Sequence, residues 1–377
     1  MSALTGAAKG NRSGAPIYGI SAEDSTRIQI WRLWMVLMMP LNHVHHELSR
    51  MNGRLLTAAN PAWFEYLNFF FYHVLTRAVP PAFAVVSAVL LYRKPFDWRK
   101  NAVRKFKSLM MPLILLTSFW IVLYAVGPHI PGIGSLFSAS SARIADWTPL
   151  DWFAAYFGWT SKHQMPTLLY PLWFMRDLML MNLLAPAIKW IIDRLPRLCL
   201  CVLAVMLLWP TGNDFYLHTV HQVFIFFCLG YYVVKYDLHF SHLDNLPRLL
   251  IPALYVLTVA ATCLASRVFG VDIREIRGAH NLIGVLFMAR CLTRVPDGKW
   301  KRLLLWLADY NIAIYLFHER MLTFAKKLLI RLLPGTFAAS AIYFYVFPFA
   351  MAAICVFIGW FLRKYQPRLY GFITGSH

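Results

Sequence analysis

Two residues in the first apolar segment carry side chains that could bind anions and move protons. Arg32 and His43 are separated by ten residues in the run RLWMVLMMPLNHVHHE. Eleven helical steps of about 100° return to within about 20° of the starting direction, with a rise of about 16 Å. The spacing therefore predicts that both side chains share one helix face, about half a membrane apart. Pro40 lies between them and allows a kink in that helix.

His43 suits general base catalysis, because an imidazole has an unperturbed pKa of about 6.5 and can accept a hydroxyl proton. Arg32 offers a bidentate fork that suits phosphate. A metal site is an alternative, since His43 with His46 or Glu47 has helical ligand spacing. No second cluster supplies further ligands at that depth, so we expect no metal. A structural role for His43, as a core histidine bonded to another helix, is the other alternative.

Arg77 and Arg176 also lie within apolar segments. A guanidinium at membrane depth costs about 2.5–3.5 kcal/mol on insertion scales, so it normally faces a wet cavity or a partner. Arg32 has a further alternative, which is to extend from a helix end to the lipid headgroups. Arg77 precedes a Pro-Pro pair, and a kinked backbone in lipid is tolerated where it lines a cavity. Arg176 adjoins Asp177, but neighbouring helix positions diverge by about 100°, so the two need not pair; substrate contact and a salt link to another helix both stay open.

The elements that must position these residues are transmembrane helices. The chain is 59% hydrophobic and 14% charged, whereas soluble domains are about 45–50% apolar and about 25% charged. The 37 Lys and Arg against 17 Asp and Glu indicate a membrane rather than nucleic acid on this background. About ten segments can cross a bilayer, at residues 28–48, 69–92, 106–127, 168–188, 198–209, 217–234, 249–266, 279–293, 303–319 and 339–362. We therefore predict an all-α, multi-pass membrane protein.

The distribution of positive charge predicts the orientation of these helices. With both termini in the cytoplasm, the inner segments hold about twice as many Lys and Arg as the outer ones. We expect cytoplasmic tails at 1–27 and 365–377 around a membrane domain at 28–364, in the cell inner membrane. The outer connection 128–167 is expected to include a piece on the membrane surface, because it contains Trp147, Trp152, Phe153 and Trp159. The stretch 320–334 falls on the outer side but carries three positive charges, Lys326, Lys327 and Arg331, which the positive-inside rule disfavours there. We therefore expect it to be an interfacial amphipathic helix.

The sequence resembles the acyltransferase family 3 integral membrane proteins. An Arg, ten residues and a His in the first of about ten transmembrane helices is similar to the hallmark of that family. TRAVPPAFAVVSAVLLYR resembles its second helix, and WRKNAVRKFKSLMMPLI resembles its basic loop running into helix three. PLWFMRDLMLMNLLAP is similar to its Trp-centred helix, and YNIAIYLFHE to its Tyr-Leu-x-His segment. The chain departs from the family at Pro171, where many members have His, and at Ala88, where Gly is common.

The resemblance implies an O-acyltransferase that moves an acyl group, often acetyl, from cytoplasmic acyl-CoA to a hydroxyl of a glycan, a lipid-linked saccharide or another envelope molecule. It implies His43 as the general base together with Arg32, and no cofactor beyond the acyl-CoA donor. Substrate contacts are expected at Arg77, Trp173, Arg176 and His318. Trp173 is alternatively a packed aromatic residue, and His318 alternatively caps a helix end. The basic cluster at 99–107 attracts CoA in this interpretation, or reflects ordinary topology.

A secondary transporter or flippase of an anionic or glycan-linked substrate is the alternative function, because about ten helices with buried charge describe that class equally well. The chain has no detectable pair of related halves, which counts against a transporter. A structural scaffold does not explain arginines at membrane depth. We expect no nucleic-acid partner. The acyl group, the acceptor hydroxyl and the oligomeric state are not readable from the sequence.

Overall fold

The computed structural model describes residues 19–50, 61–95, 97–132, 134, 144–158, 167–209, 215–271, 273–332 and 337–375. Within these ranges all regular structure is helical, so the predicted all-α class is confirmed. The α-helices in chain order are α1 (Ala22–Arg50), α2 (Ala62–Phe69), α3 (Val79–Tyr92), α4 (Trp98–Lys105), α5 (Met111–Val126), α6 (Pro149–Phe157), α7 (Trp173–Arg194), α8 (Pro196–Leu208), α9 (Phe215–Lys235), α10 (Leu250–Arg267), α11 (Ile273–Cys291), α12 (Lys299–Ala308), α13 (Asn311–Leu332), α14 (Phe337–Ala341), α15 (Phe347–Tyr365) and α16 (Pro367–Thr374).

Helix α1 lies at the centre of the molecule. It begins at Ala22, where the Ser21 Oγ accepts a hydrogen bond from the Asp24 amide at 2.9 Å, and it continues through Pro40 to Arg50. Its 29 residues correspond to a length of about 44 Å, which exceeds the hydrocarbon core of about 30 Å. Helices α3, α13 and α15 pack against it, and most of its described apolar side chains are buried.

Three continuous helices in the described part of the chain are long and apolar enough to cross a membrane: Ala62–Tyr92, Trp98–His129 and Phe337–Tyr365. Shorter apolar helices occupy Pro196–Leu208, Thr219–Lys235 and Leu250–Ser266. Their outward faces are apolar, as exposed residues such as Leu208 and Val256 on α8 and α10 show. Apolar side chains on the outside of a folded chain are typical of a protein surrounded by lipid, and the protein is a membrane protein.

Each of the three long helices contains a single π-helical turn, at Phe70–Val74, Phe106–Met110 and Ile342–Val346. Pro112 and Pro348 each lie two residues beyond a π turn. Proline has no amide hydrogen, so each removes the donor that would close the regular i to i−4 bond. The first long helix is the most irregular, because a 3-10 turn at Leu75–Ala78 follows its π turn. Arg77 lies in that turn, at the kink that its Pro-Pro pair predicts.

The predicted segments 303–319 and 320–334 differ from the structure. The helical structure is interrupted at Asp309–Tyr310, between α12 and α13. Helix α12 has 10 residues, none of them buried, and its rise of about 15 Å is too short to span the hydrocarbon core of about 30 Å. The expected interfacial helix is instead the continuation of α13, where Lys326 is only 3% exposed. Hydropathy alone cannot detect a lysine that is buried by neighbouring helices.

The connection 128–167 contains the helix α6 near the expected surface piece. Thr148 and Asp151 form a capping box at its start, and Gly158 ends it with a left-handed φ of 72°. Trp152 and Phe153 are 40% and 44% exposed, which is typical of a short amphipathic helix at an interface. Trp159 lies outside the described residues.

The departure from the family pattern at Ala88 has a structural counterpart on the neighbouring helix. Helix α9 packs closely on α3, and Gly230 faces Ala88 there. A Cβ on Gly230 would lie 2.7 Å from the Ala88 Cβ and 2.6 Å from the Val85 carbonyl oxygen. The close approach of the two helices therefore depends on a small residue at 230, which makes room for the methyl group at 88.

Candidate active site

Helix α1 presents Arg32 and His43 at two depths, as the spacing predicts. The helix is continuous between them, so they are separated by about 16 Å along its axis. His43 is 5% exposed. The Arg32 side chain is exposed, although its neighbours Trp31 and Leu33 are 1% and 0% exposed. Since α1 is surrounded by other helices, Arg32 must face an opening, whereas His43 lies in the interior.

His43 is in contact with two aromatic rings from distant parts of the chain. Its ring centroid lies 5.0 Å from that of His318 on α13, with the planes tilted by 49°. It lies 5.2 Å from the ring of Tyr170, at an edge-to-face angle of 77°. Tyr170 begins the 3-10 turn Tyr170–Leu172, which leads into α7. The structure therefore brings together His43 and His318, which the sequence suggested separately, and adds Tyr170.

The tautomer of His318 is fixed by its own helix. Its Nδ1 lies 2.9 Å from the Ile314 carbonyl oxygen and 3.0 Å from that of Tyr315. Two carbonyl acceptors require the proton on Nδ1, so a neutral His318 carries its lone pair on Nε2. The side chain is 0% exposed, and Nε2 has no hydrogen-bond partner among the described residues. An unsatisfied buried polar atom costs about 1–3 kcal/mol, which is a reason to expect a functional role for this nitrogen.

The segment that carries Tyr170 is held in place by side chains of α13. Arg320 donates to the Leu168 carbonyl, and its Nη1 donates to the Tyr124 hydroxyl at 2.7 Å. The Tyr315 hydroxyl donates to the Pro171 carbonyl at 2.6 Å. These bonds attach the backbone on both sides of Tyr170 to the helix that carries His318. Sequence reasoning placed Arg320 at the start of the expected interfacial stretch 320–334 and did not identify this role, because the contacts are long-range.

Arg77 lies near the depth of His43 rather than that of Arg32. The adjacent Thr76 hydroxyl donates to Asn42 Oδ1 at 3.4 Å, and Asn42 precedes His43 in α1. His280 on α11 donates from Nε2 to the Val74 carbonyl at 2.9 Å, at the junction of the π turn and the 3-10 turn. Arg77 lies close enough to His280 for its positive charge to interact electrostatically with that imidazole. His280 was not identified from the sequence, where a lone histidine at the start of an apolar segment carries no signal.

Trp173 and Arg176 lie in the first turn of α7, just after Tyr170. Arg176 Nε donates to Asp177 Oδ1 at 2.7 Å, and Nη1 donates to the Phe157 carbonyl at 2.5 Å. The two adjacent charges therefore do pair, because the long guanidinium side chain spans the angle between them. Arg176 and Asp177 are 8% and 1% exposed, so this pair attaches the end of α6 to α7. Trp173 is 9% exposed and packs edge-to-face on Phe174.

Positive charge gathers around Arg32 at the other end of the site. The charges of Arg104 and Arg32 both act on the ammonium of Lys105, so the basic cluster at 99–107 extends to α1. Within the described ranges Arg32 has no carboxylate or other hydrogen-bond partner. Uncompensated cations that share an opening favour the binding of an anion there.

Ion pairs on the N-terminal side of Arg32 attach the start of α1 to the segment between α9 and α10. Arg27 is bonded to Glu23 and to Asp244, and Asp24 accepts a bond from the Ser241 amide at 3.2 Å. Burial alone would raise the pKa of Asp244, but the bond and charge of Arg27 hold that pKa below its usual value. These contacts fix the register of α1 and hence the place of Arg32.

The metal alternative is not tested by the structure. The side chains of His46 and Glu47, which would share a metal with His43, lie outside the described part of the chain. Among the described residues no group of three or more His, Cys, Asp or Glu could hold a metal ion.

Comparisons with known proteins identify the family to which the chain belongs. The succinoglycan biosynthesis protein ExoH of Rhizobium meliloti (strain 1021) is 27% identical over 232 residues, which are 60% of this chain and 58% of that protein. The chain thus spans less than two thirds of that relative. No solved structure matches the chain. A family model described as an acyltransferase domain matches residues 26–363, and the protein accordingly belongs to this family of membrane acyltransferases.

Proposed function

We propose that the protein moves an acyl group, acetyl in the simplest case, from cytoplasmic acyl-CoA to a hydroxyl of a glycan or another envelope molecule. The observation that carries this proposal is the pairing of His43 with His318 at one depth of α1, with the exposed Arg32 at another. A buried pair of imidazoles supplies bases, and an open cationic site suits a polyanionic donor. Membership of an acyltransferase family favours this function over the transporter or flippase.

The donor binds at the Arg32 end in this proposal. CoA carries phosphates at one end and the thioester at the other, joined by a long flexible arm. Arg32, Arg104 and Lys105 hold the phosphates by charge and by hydrogen bonds. The separation of about 16 Å along α1 then allows the thioester at the other end of the arm to reach His43. Arg32 and His43 thus hold opposite ends of one ligand and need no direct contact.

The reaction at the His43 end is an acyl transfer. The acceptor oxygen forms a bond to the thioester carbonyl carbon, and the carbon–sulfur bond breaks. His43 removes the hydroxyl proton as the oxygen attacks, and the proton then passes to the sulfur of CoA. A sugar hydroxyl is a weak nucleophile at neutral pH, so removal of its proton is the step that needs a base. A neutral imidazole is easier to bury within a membrane domain than a carboxylate.

The acceptor is a glycan or a lipid-linked saccharide in this proposal. The similarity to a protein named for succinoglycan biosynthesis supports this class. Arg77 lies near the depth of His43, and Trp173 follows Tyr170 at the start of α7, so both are suited to contact a saccharide that approaches from the outer side. Aromatic rings stack on sugar faces, and arginines donate to ring hydroxyls. Arg176 contributes to this acceptor site indirectly, because it holds the end of α6 through its hydrogen bond to the Phe157 carbonyl.

We further propose about ten membrane spans with both termini in the cytoplasm of a cell inner membrane. The excess of Lys and Arg in the inner segments supports this orientation. Cysteine at position 100 or 138, in place of Lys100 or Ser138, tests it with an impermeant thiol reagent on intact cells. Labelling is expected only at 138. Labelling at 100 would indicate the opposite orientation, in which the Arg32 opening faces away from cytoplasmic CoA.

The activity is tested with the purified protein, acyl-CoA and envelope glycan. Formation of one ester, detected as a base-labile mass increase on the glycan, should accompany release of one free CoA thiol. Envelope glycans from cells with and without the protein provide the matched comparison. Thiol release without an ester would indicate a thioesterase. Absence of both, with no stabilisation of the protein by CoA at millimolar concentration, would remove the donor from the proposal.

A further inference from the structure

The second histidine of the pair has a nitrogen that the proposed base does not account for. His318 is held by two carbonyls through Nδ1, and its Nε2 is buried without a partner among the described residues. Nδ1 faces the backbone of α13, so Nε2, on the other side of the ring, points away from that helix. Buried nitrogens without a partner are rare, and each calls for an explanation.

The nearest ring to His318 from another helix is that of His43. Helices α1 and α13 pack against each other, and the two ring centroids lie 5.0 Å apart. The tilt of 49° excludes parallel stacking. At this separation two imidazole edges can share one hydrogen bond after a small side-chain rotation. Catalytic hydrogen bonds are often long without substrate and shorten when the substrate is bound.

We propose that His318 is a positioning residue that acts through His43. When one His43 nitrogen has taken the hydroxyl proton, the N–H of its other nitrogen donates to His318 Nε2, and this bond stabilises the imidazolium until the proton passes to the departing sulfur. The proton count is unchanged: the transferred proton leaves the acceptor oxygen, is held on the His43 nitrogen that faces the substrate, and ends on the CoA thiol. The inference rests on the proposed function and deepens it, because it assigns the atom that orients the base.

A neutral partner suits this site for a physical reason. An aspartate in this role would add a second buried charge, which is costly within a membrane domain. His318 accepts a hydrogen bond without adding charge, because its own proton is fixed on the far nitrogen. The titratable and charged groups on the elements around the pair are Tyr170, Tyr315, Glu319, Arg320, Arg77 and, through Tyr315, Asp177.

Two variants separate this role from a purely structural one. In His318→Asn the amide nitrogen can replace Nδ1 and donate to the Ile314 carbonyl, but nothing occupies the place of Nε2. In His318→Gln an amide oxygen can reach that place and accept. We measure the pH dependence of kcat/KM for ester formation, with CoA binding and thermal unfolding to verify folding. His129→Asn, a substitution at an exposed histidine, is the matched control.

The Asn variant should lose about 10- to 100-fold in rate, because it removes a hydrogen bond to a charged imidazolium. Its acid limb should move to lower pH, because protonated His43 loses a stabilising acceptor. The Gln variant should recover part of both effects, and His129→Asn should match the wild type. A folded Asn variant whose rate falls with no movement of the limb, or whose rate is normal, would overturn the inference.

A measurement on the unmodified protein covers the case in which neither variant folds. Nitrogen NMR of labelled histidines should show one Nδ1-protonated ring whose Nε2 resonance shifts as His43 titrates. The shift should be absent in His43→Gln. An Nε2 signal that does not respond to His43 would contradict the pairing. Activity retained by His43→Gln would instead contradict the proposed base, so the two failures are distinguishable.

Discussion

The two ends of α1 present opposite environments for their functional side chains. At His43 the surroundings are closed: His43 and His318 are 5% and 0% exposed, and the Tyr170 ring packs edge-to-face on His43. At Arg32 they are open and cationic, because Arg32 is exposed and Arg104 and Lys105 lie near it. The contrast shows how one helix can serve two needs: at one end its cation is accessible to an anion, and at the other its imidazole is shielded from solvent.

The largest effect is expected at the closed end. His43→Gln and His43→Ala should each lower kcat by about 100- to 10,000-fold, the usual contribution of a general base. CoA binding should stay near normal, because the phosphates bind at the other end of the helix. Discontinuous assays of ester formation measure kcat, and thermal shifts with CoA measure the binding of the donor. His45→Ala, at a position on the opposite helix face, is the control; if its loss equals that of His43→Gln, the assigned face is wrong.

An intermediate effect is expected at the open end. Arg32→Ala should weaken CoA binding about 10- to 100-fold, because a hydrogen bond to a charged group contributes about 1.5–3 kcal/mol. Arg32→Lys should restore this only in part, since an ammonium lacks the bidentate fork. Calorimetric titration with CoA measures the change. Arg302→Ala, at an exposed cation of α12, should bind CoA normally, and equal weakening there would indicate a general charge effect.

A smaller effect should follow from loosening the turn that carries Arg77. His280→Ala removes the donor to the Val74 carbonyl and should raise the KM for the acceptor about 2- to 10-fold, the range of one net hydrogen bond. His280→Gln keeps an N–H donor and should stay within about twofold of the wild type. Steady-state kinetics with varied acceptor gives both values. Equal defects in the two variants would mean that packing rather than this bond matters.

The smallest effect concerns stability at the start of α1. Asp244→Asn should lower the free energy of unfolding by about 1–2 kcal/mol at pH 7, because it removes the partner of Arg27. The pKa of Asp244 is depressed in the folded protein, so its contribution is complete above the unfolded pKa of about 3.9. It is lost as pH falls through the folded value, and the two proteins should then converge. Thermal unfolding in detergent checks this, with Asp146→Asn, at an exposed residue away from this cluster, as the unaffected control.

The sequence predicts those features of the site that lie on a single element. Arg32 and His43 share a helix whose periodicity is known, and the Pro-Pro pair marks the kink at Arg77. The contact between His43 and His318 joins residues that are far apart in the chain, and it depends on how α1 and α13 pack. The pairing of Arg176 with Asp177 depends on side-chain reach, and the role of His280 depends on one long-range hydrogen bond to the Val74 carbonyl. None of these leaves a local pattern in the sequence.

The bonds on either side of the α6–Tyr170 connection have a consequence for how the protein can diversify. Arg176 holds the carbonyl of Phe157, and Arg320 holds that of Leu168. Because each end is attached separately to the helical frame, the chain between these anchors can change in length or composition without displacing Tyr170 from His43.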